Sequence, residues 1–176
     1  MQEKNRLQFK ALAAMTLDGR IARHQGEFTN WTSAEDKVHL HRELDASDVI
    51  IVGSTTYEAA HTPLSTRRCI VLTRRVTDTK QENELLVYLN PENVDPVTYC
   101  QEKGYRVVAV LGGTETYTYF FNRDLIDELY LTIEPVTFGE GLPLHTATEG
   151  KRQPQLVSAK KLNNRGSLLL HYIYAA

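Results

Sequence analysis

Hydrophobic residues occur along the chain in short runs that alternate with segments of helical character. Leu7–Met15 begins with period-two alternation and ends in a continuous apolar run, which predicts a strand that enters a covered sheet. Further strands are predicted at Asp48–Gly53, Cys69–Arg75, Leu85–Leu89 and the run RVVAVL at 106–111. Helices are predicted from about Ser33 to Ala46 and in the segments STTYEAA, DPVTYCQEKG and TETYTYFFNRD.

The pattern changes from Asp127 onward. Three strand candidates, DELYLTIEPV, QLVSAKKLN and SLLLHYIYA, follow one another without a convincing helix between them. A β/α front half followed by a β-rich tail predicts an α/β domain with a mostly parallel central sheet, an antiparallel C-terminal edge and helices on both faces. No linker or repeat divides the 176 residues, so we predict a single domain over residues 1–176. Because edge strands can pair with another chain, a homodimer is an additional expectation.

Composition narrows the classes of partner. The chain is 41% hydrophobic and 24% charged with a net charge of −2, which provides no electrostatic basis for binding nucleic acid or an anionic membrane. Lys10 interrupts the apolar part of the N-terminal segment, which argues against a secretory signal peptide. Cys69 and Cys100 belong to no CxxC or Cys/His motif. We therefore expect a reduced, cytoplasmic protein without a metal site.

Candidate chemistry is found where predicted strands end. Paired glycines at 112–113 end one strand and open a helix, Gly53 precedes a helix that starts with hydroxyl residues, and the run TRR at 73–75 follows a third strand. Each pattern alone is better explained by a tight turn, a helix cap or a solvated surface pair. Together they provide one edge of the sheet with sites for the parts of a dinucleotide and an additional 2′-phosphate, which predicts NADPH as cofactor.

Asp36 has two interpretations. The run SAED at 33–36 has the spacing of a capping box, in which Asp36 would serve only the helix end. Asp36 also lies beside the apolar stripe of the helix that follows, where a solvating carboxylate has little reason to be. The favoured division is that Ser33 caps the helix, Glu35 is the solvated acid and Asp36 faces a pocket.

Two longer motifs resemble a known superfamily. AAMTLDGRIA (Ala13–Ala22) is similar to the N-terminal signature of the reductase domain of the riboflavin-pathway bifunctional deaminase-reductase. IDELYLTIEPVTFGEGLPL (Ile126–Leu144) resembles both that family and the dihydrofolate reductases. The resemblance extends over about the whole chain and implies a dihydrofolate-reductase-like fold.

The resemblance implies roles for individual residues. Trp31 and Asp36 match the active-site tryptophan and acid of dihydrofolate reductases, and Thr132 matches the threonine that hydrogen-bonds the acid. Arg67 falls where those enzymes hold a substrate carboxylate, and Leu40 is assigned to the substrate pocket. Because burial disfavours the charged form of an acid, we expect a raised pKa for Asp36, which suits proton donation during reduction of a C=N bond.

The remaining matched positions are assigned to NADPH. They include two residues beside the nicotinamide, the GxxT turn, the region of the 2′-phosphate and the glycine-rich turn beside the pyrophosphate. The positions are Ala14, Ile21, Gly53, Thr56, Thr73, Arg74, Gly112, Gly113, Thr114, Glu115 and Tyr117. Whether Arg75 shares the 2′-phosphate with Arg74 is left open.

The implied activity is transfer of a hydride from NADPH to a small heterocyclic substrate, a pyrimidine or a pteridine, as in 5-amino-6-(5-phosphoribosylamino)uracil reductase. Departures from the two branches leave alternatives open. The chain has EAAHTPLS where the pyrimidine reductases have an acidic segment and Leu111 where they have glutamate, while Arg23–Asn30 lacks the Pro-Trp pair of the folate enzymes. The alternatives are a dihydrofolate reductase proper and a non-catalytic NADPH-binding protein.

Overall fold

Strands and helices alternate through the first two-thirds of the chain, and strands alone follow. The computed structural model describes residues 6–146 and 152–174, so the limits of the predicted domain, residues 1 and 176, lie outside it. Its strands are β1 (Gln8–Thr16), β2 (Arg20–Ala22), β3 (Val49–Gly53), β4 (Cys69–Leu72), β5 (Thr79–Gln81), β6 (Leu86–Leu89), β7 (Val107–Leu111), β8 (Glu128–Glu134), β9 (Leu142–Pro143), β10 (Pro154–Lys161) and β11 (Leu168–Tyr174). Its helices are α1 (Ala34–Asp45), α2 (Ser54–Ala59), α3 (His61–Leu64), α4 (Pro96–Glu102) and α5 (Thr114–Asn122).

Within the described residues, nine strands form one sheet in the order β10-β11-β8-β1-β7-β3-β4-β6-β5. The six strands from β8 to β6 are mutually parallel, and β10, β11 and β5 are antiparallel to their neighbours. The carboxyl ends of β8, β1, β7, β3 and β4 therefore meet at one edge of the sheet. Strands β2 and β9 form a separate antiparallel pair.

Helices cover both faces of the sheet, as the apolar strands require. On one face, Cys100 of α4 and Phe120 of α5 are fully buried against apolar strand residues. On the other face, Leu44 of α1, Tyr57 of α2 and Leu64 of α3 pack on the alternate strand residues. Because strand side chains alternate between faces, central strands buried on both sides have the nearly continuous apolar sequences seen in the chain.

The predicted fold class is confirmed, and three short strands were missed. Strands β2, β5 and β9 have two or three residues each and none of these residues is buried, so they leave no hydrophobic pattern. Since β5 is antiparallel, both edges of the sheet are antiparallel, whereas only the C-terminal edge was predicted to be. The strand predicted through Arg75 ends at Leu72.

Strand β10 is the most exposed element of the sheet. All eight of its residues are exposed, including Leu156 and Val157 at 55% and 54% of their full surface. An edge strand that is exposed on both faces has unpaired backbone groups along its outer side. No helix among the described residues is long and apolar enough to cross a membrane.

Candidate active site

A cleft of about 1700 Å³ opens at the carboxyl edge of the parallel strands. It brings together nearly all of the residues predicted from the sequence. Those that line it are Ala14, Ile21, Asp36, Leu40, Gly53, Thr56, Thr73, Arg74, Gly112, Gly113, Thr114, Glu115, Tyr117 and Thr132. Trp31 and Arg67 are not among the lining residues.

Two strands approach each other closely at glycines in the floor of the cleft. The Gly53 amide donates to the Gly112 carbonyl at 3.1 Å. A Cβ atom at Gly53 would lie 2.9 Å from Thr116 Oγ1, and one at Gly112 would lie 2.8 Å from Cε2 of Tyr117. Tyr117 is buried and its hydroxyl donates to the Leu12 carbonyl at 2.5 Å. Both glycines are therefore needed for the close packing of α5 against the ends of β3 and β7.

Two helices begin at this surface without side-chain caps. Gly53 precedes α2 and Gly113 precedes α5, and neither helix start has a capping side chain. The first N–H groups of a helix have no intrahelical partner and favour negative charge. The start of α5 is also fixed laterally, since Thr114 Oγ1 donates to the Pro143 carbonyl at 2.6 Å. Uncapped helix starts beside glycine backbone are compatible with a pyrophosphate. The assignment of this surface to the cofactor stays a prediction.

Arginines follow β4 at the rim of the cleft. Thr73 is buried and its hydroxyl accepts from the Arg75 amide at 3.2 Å. Arg74 lies 3.6 Å from Glu115, and Arg75 lies 2.7 Å from Glu58. These ion pairs are solvent-exposed and therefore weak, so a phosphate could replace the glutamates as partner of both guanidinium groups. Glu115 thus lines the cleft as the ion-pair partner of an arginine.

The opposite part of the cleft contains Asp36, and the structure places it as the sequence predicted. Ser33 is the N-cap of α1, and its hydroxyl accepts from the Asp36 amide at 3.3 Å. Asp36 is buried, whereas the neighbouring Glu35 is exposed. Ser33 therefore caps the helix and Asp36 faces the cleft, which confirms the proposed division of roles.

Burial raises the pKa of Asp36 above its ordinary value of 3.8, because the charged form loses its hydration. Hydrogen bonding from the Thr132 and Thr32 hydroxyls lowers it, and the charge of Glu134 raises it further. The predicted direction is confirmed. The result is a carboxyl group that holds its proton to higher pH than a solvated aspartate does.

Helix α1 lies along β8, with the two running in opposite directions. Tyr130, Thr132 and Glu134 share one face of the strand because strand side chains alternate. Thr132 is hydrogen-bonded to Asp36, and the rings of Tyr130 and His39 have centroids 5.1 Å apart. Every second residue of β8 therefore lies opposite every third residue at the start of α1. The pairs are Glu134 with Ser33, Thr132 with Asp36 and Tyr130 with His39.

Glu134 is a functional candidate that sequence reasoning missed. Its carboxyl group is buried and accepts hydrogen bonds from the Ser33 amide and hydroxyl, both at 2.7 Å, and from the Ser167 hydroxyl at 2.5 Å. The available signal was its position two residues after Thr132 in a strand, which places both side chains on the same face. A charged residue at such a position of a buried strand calls for a partner.

Trp31 and Arg67 lie in different surroundings from those that the resemblance implied. The Trp31 indole packs edge-on against Phe138, with ring centroids 5.0 Å apart. Arg67 donates to the Asp45 carboxylate at 2.8 Å and to the Pro63 carbonyl at 2.5 Å. Those contacts occupy its guanidinium at the end of α1 and beside α3. The roles of both residues at a substrate therefore remain predictions without a contribution from the geometry of the cleft.

Comparison with known proteins identifies the family of the chain. A model of the family described as RibD C-terminal domain matches residues 10–168. The uncharacterised protein YwjB of Bacillus subtilis (strain 168) is 27% identical over 170 residues, which cover 92% of this chain and 95% of that protein.

Solved structures show the same fold. A pyrimidine reductase-like protein from Corynebacterium diphtheriae superposes with a TM-score of 0.76 at 13% identity, over 98% of this chain and 93% of that one. A diaminohydroxyphosphoribosylaminopyrimidine deaminase/5-amino-6-(5-phosphoribosylamino)uracil reductase from Thermotoga maritima gives a TM-score of 0.76 at 20% identity. The match covers 98% of this chain and 58% of that one. The predicted resemblance to the dihydrofolate-reductase-like superfamily and its riboflavin-pathway branch is confirmed.

Proposed function

The chain belongs to the RibD C-terminal domain family, and on that basis we propose that it is an NADPH-dependent reductase of a pyrimidine or pteridine. The observation that carries the proposal is one cleft with uncapped helix starts and exposed arginines at one end and a buried carboxyl group of raised pKa at the other. Those are the two requirements for a reaction that adds a hydride to carbon and a proton to nitrogen.

The cofactor end of the cleft fits NADPH. When bound, the cofactor supplies the hydride. The uncapped starts of α2 and α5 would hold the pyrophosphate over Gly53 and Gly112. The apolar side chains of Ala14 and Ile21 would border the nicotinamide and exclude water there.

Asp36 is assigned as the source of the proton. Burial favours the protonated form of its carboxyl group, and the hydrogen bond from Thr132 orients that group although it lowers the pKa. Leu40 lines the cleft one helical turn further along α1 and would provide an apolar wall for a flat heterocycle.

The pyrimidine reductase and dihydrofolate reductase alternatives can be distinguished by their substrates. The dihydrofolate alternative depended on Arg67 as partner of a glutamate tail, and the contacts of Arg67 with Asp45 and Pro63 favour the pyrimidine alternative instead. We expect loss of reduced-nicotinamide absorbance when the protein and NADPH are mixed with 5-amino-6-(5-phosphoribosylamino)uracil, and a slower loss with dihydrofolate. Turnover of dihydrofolate alone would reverse the assignment.

The alternative from another class is a non-catalytic NADPH-binding protein. A fold by itself does not determine activity, so this alternative is tested directly. It would bind NADPH in calorimetry and consume none with either substrate. A raised pKa at Asp36 supports the catalytic alternative, because a binding protein gains nothing from a buried acid that costs stability.

A cofactor-preference experiment tests the arginines. Charge-assisted bonds to a 2′-phosphate are worth about 1.5–3 kcal/mol, so Arg74→Ala should weaken NADPH binding by about 10-fold or more and leave NADH binding nearly unchanged. Isothermal titration with both cofactors provides the measurement. Arg68→Ala, at the opposite end of β4, is the matched control and should change neither affinity. Equal dissociation constants for NADPH and NADH in the unmodified protein would contradict the assignment.

A homodimer through β10 is proposed as well. Strand β10 has unpaired outer backbone groups and exposes Leu156 and Val157, so a second copy can continue the sheet. Sedimentation velocity should show a dimer that dissociates in the double variant Leu156→Lys, Val157→Lys. Val38→Lys, which changes an exposed apolar residue on α1, should leave the dimer intact. A monomer at high micromolar concentration would refute the proposal.

A further inference from the structure

Two buried carboxyl groups lie close together at the start of α1, and the proposed reaction uses only one of them. Asp36 is 6% exposed and Glu134 is 3% exposed. Burial of an acid is costly unless its oxygens are satisfied. The hydrogen bonds of Glu134 satisfy its oxygens, and they also connect Glu134 to the helix turn that carries Asp36.

Ser33 connects the two carboxyl-bearing residues. Its hydroxyl donates to Glu134 at 2.7 Å and accepts from the Asp36 amide at 3.3 Å. Its own amide donates to the same Glu134 oxygen at 2.7 Å. The hydroxyl has one hydrogen to donate, so donation to Glu134 turns an oxygen lone pair toward the Asp36 amide. Glu134 thereby fixes both the cap of α1 and the first turn that carries Asp36.

The other oxygen of Glu134 is held by the hairpin that joins β10 to β11. Ser167 is buried and donates to it at 2.5 Å. Asn163, in the same turn, donates to the Ser167 hydroxyl at 3.0 Å and to Glu35 at 3.2 Å. The glutamate is therefore bonded from the helix start on one side and from the hairpin on the other. Its side chain has a single orientation, next to Asp36.

The charges around Asp36 come from three elements. Glu134 of β8 acts against ionisation of Asp36, and Lys37 of α1 acts in favour of it. Tyr117 of α5 also interacts with Asp36, and its hydroxyl stays protonated because burial raises its pKa. Glu134 is the one of these groups that adds negative charge beside Asp36. Like charges at short range favour protonation of one partner.

We propose that Glu134 is the positioning residue of Asp36, which it holds in place through Ser33 and beside which it provides a second carboxyl group that opposes ionisation. The proposal rests on the proposed function only in taking Asp36 as the proton-donating group. It requires no substrate to test, because the protonation of Asp36 can be observed in the free protein.

Carboxyl-carbon NMR of protein labelled with ¹³C at aspartate and glutamate provides the test, with the Asp36 resonance assigned from the Asp36→Asn variant. Glu134→Gln keeps the size of the side chain and an oxygen that can accept from Ser33, and removes the charge. The Asp36 carboxyl group should then titrate at lower pH than in the unmodified protein. Glu128→Gln makes the same change at the other end of β8 and should leave the titration of Asp36 unmoved.

A structural role alone would give a different result. If Glu134 only caps the helix, Glu134→Gln leaves the titration of Asp36 where it was, and the proposal is overturned. If the Gln variant does not fold, the unmodified protein decides the matter. Interacting carboxyl groups appear in each other's titration curves, so the Asp36 resonance should follow two steps. A single step for Asp36, without a trace of Glu134, also overturns the proposal.

The NMR titration tests the role of Glu134 independently of the reductase assignment. A protein that oxidises no NADPH with either substrate would refute the reductase assignment and leave the NMR result standing. If a substrate is turned over, the same variant should move the alkaline limb of the kcat profile to lower pH, in step with Asp36. A fall in kcat with an unmoved profile would contradict the charge effect.

Discussion

Asp36→Asn should slow turnover by roughly 10²-fold or more, the usual contribution of a general acid, and leave NADPH binding intact. Asparagine has nearly the shape of aspartate, so the packing against Thr132 and α1 is retained while the exchangeable carboxyl proton is lost. The proposed cofactor contacts are at the other end of the cleft, at the glycine turns and helix starts. Steady-state kinetics and calorimetry with NADPH measure the two effects separately.

Glu35→Gln is the control for this change. Glu35 immediately precedes Asp36 and is exposed. Its carboxylate accepts a hydrogen bond from Asn163 of the hairpin between β10 and β11. Its replacement should leave kcat and the NADPH dissociation constant close to those of the unmodified protein. Equal turnover in the Asp36→Asn variant would remove Asp36 from the mechanism.

Asp36→Asn should also increase the thermal stability of the protein in a pH-dependent way. The pKa of Asp36 is raised in the folded protein, so the protonated carboxyl group favours the folded state. This contribution to the free energy of unfolding is lost as the pH rises from 3.8 through the pKa of the folded protein. Asparagine carries no such penalty. The melting temperature of Asp36→Asn should therefore exceed that of the unmodified protein near neutral pH, and the difference should shrink in acid. Thermal melts across that pH range provide the measurement.

Gly112→Ala should weaken NADPH binding by about 5-fold or more, because overpacking of about 1–3 kcal/mol would displace the backbone at the proposed cofactor site. The new methyl group would lie 2.8 Å from the Tyr117 ring. That ring is buried and tied to the Leu12 carbonyl, so the backbone of the turn must move instead. Fluorescence titration with NADPH provides the affinity, and circular dichroism verifies the fold.

Gly113→Ala is the matched comparison. Its methyl group would lie 3.4 Å from Thr56 Oγ1, a hydroxyl that can rotate aside. We expect a smaller loss of affinity there. A larger loss at Gly113 than at Gly112 would show that the Tyr117 contact is not the cause.

Sequence patterns predicted the central part of the fold because buried strands leave a strong signal. Strands such as β3 and β4 are buried at nearly every residue and appear as uninterrupted apolar runs. The N-cap at Ser33 and the Asp95-Pro96 start of α4 were equally visible, since capping residues have a narrow chemical range. Strands β2, β5 and β9 were invisible because their residues are not buried.

The site was predicted in part, for a related reason. Residues that a motif fixes by spacing, such as Gly53, Gly112 and Asp36, line one cleft as expected. Arg67 and Trp31 are long side chains whose direction depends on their neighbours, and Asp45 and Phe138 hold them elsewhere. Glu134 was missed because its partners, Ser33 and Ser167, lie far from it in the sequence. Contacts between distant residues have no signature in a single chain.

The register of α1 on β8 makes the surroundings of Asp36 depend on which residues of β8 face the helix. Insertion of one residue at the start of β8 would turn Leu131 and Ile133 toward α1 and move Thr132 and Glu134 to the opposite face. Backbone pairing with β1 could be re-formed one position along. Glu134 would then face the apolar cluster that contains Leu129 and Leu131 and would lose Ser33 as its partner. The register of one strand therefore determines both the packing of the core and the surroundings of Asp36.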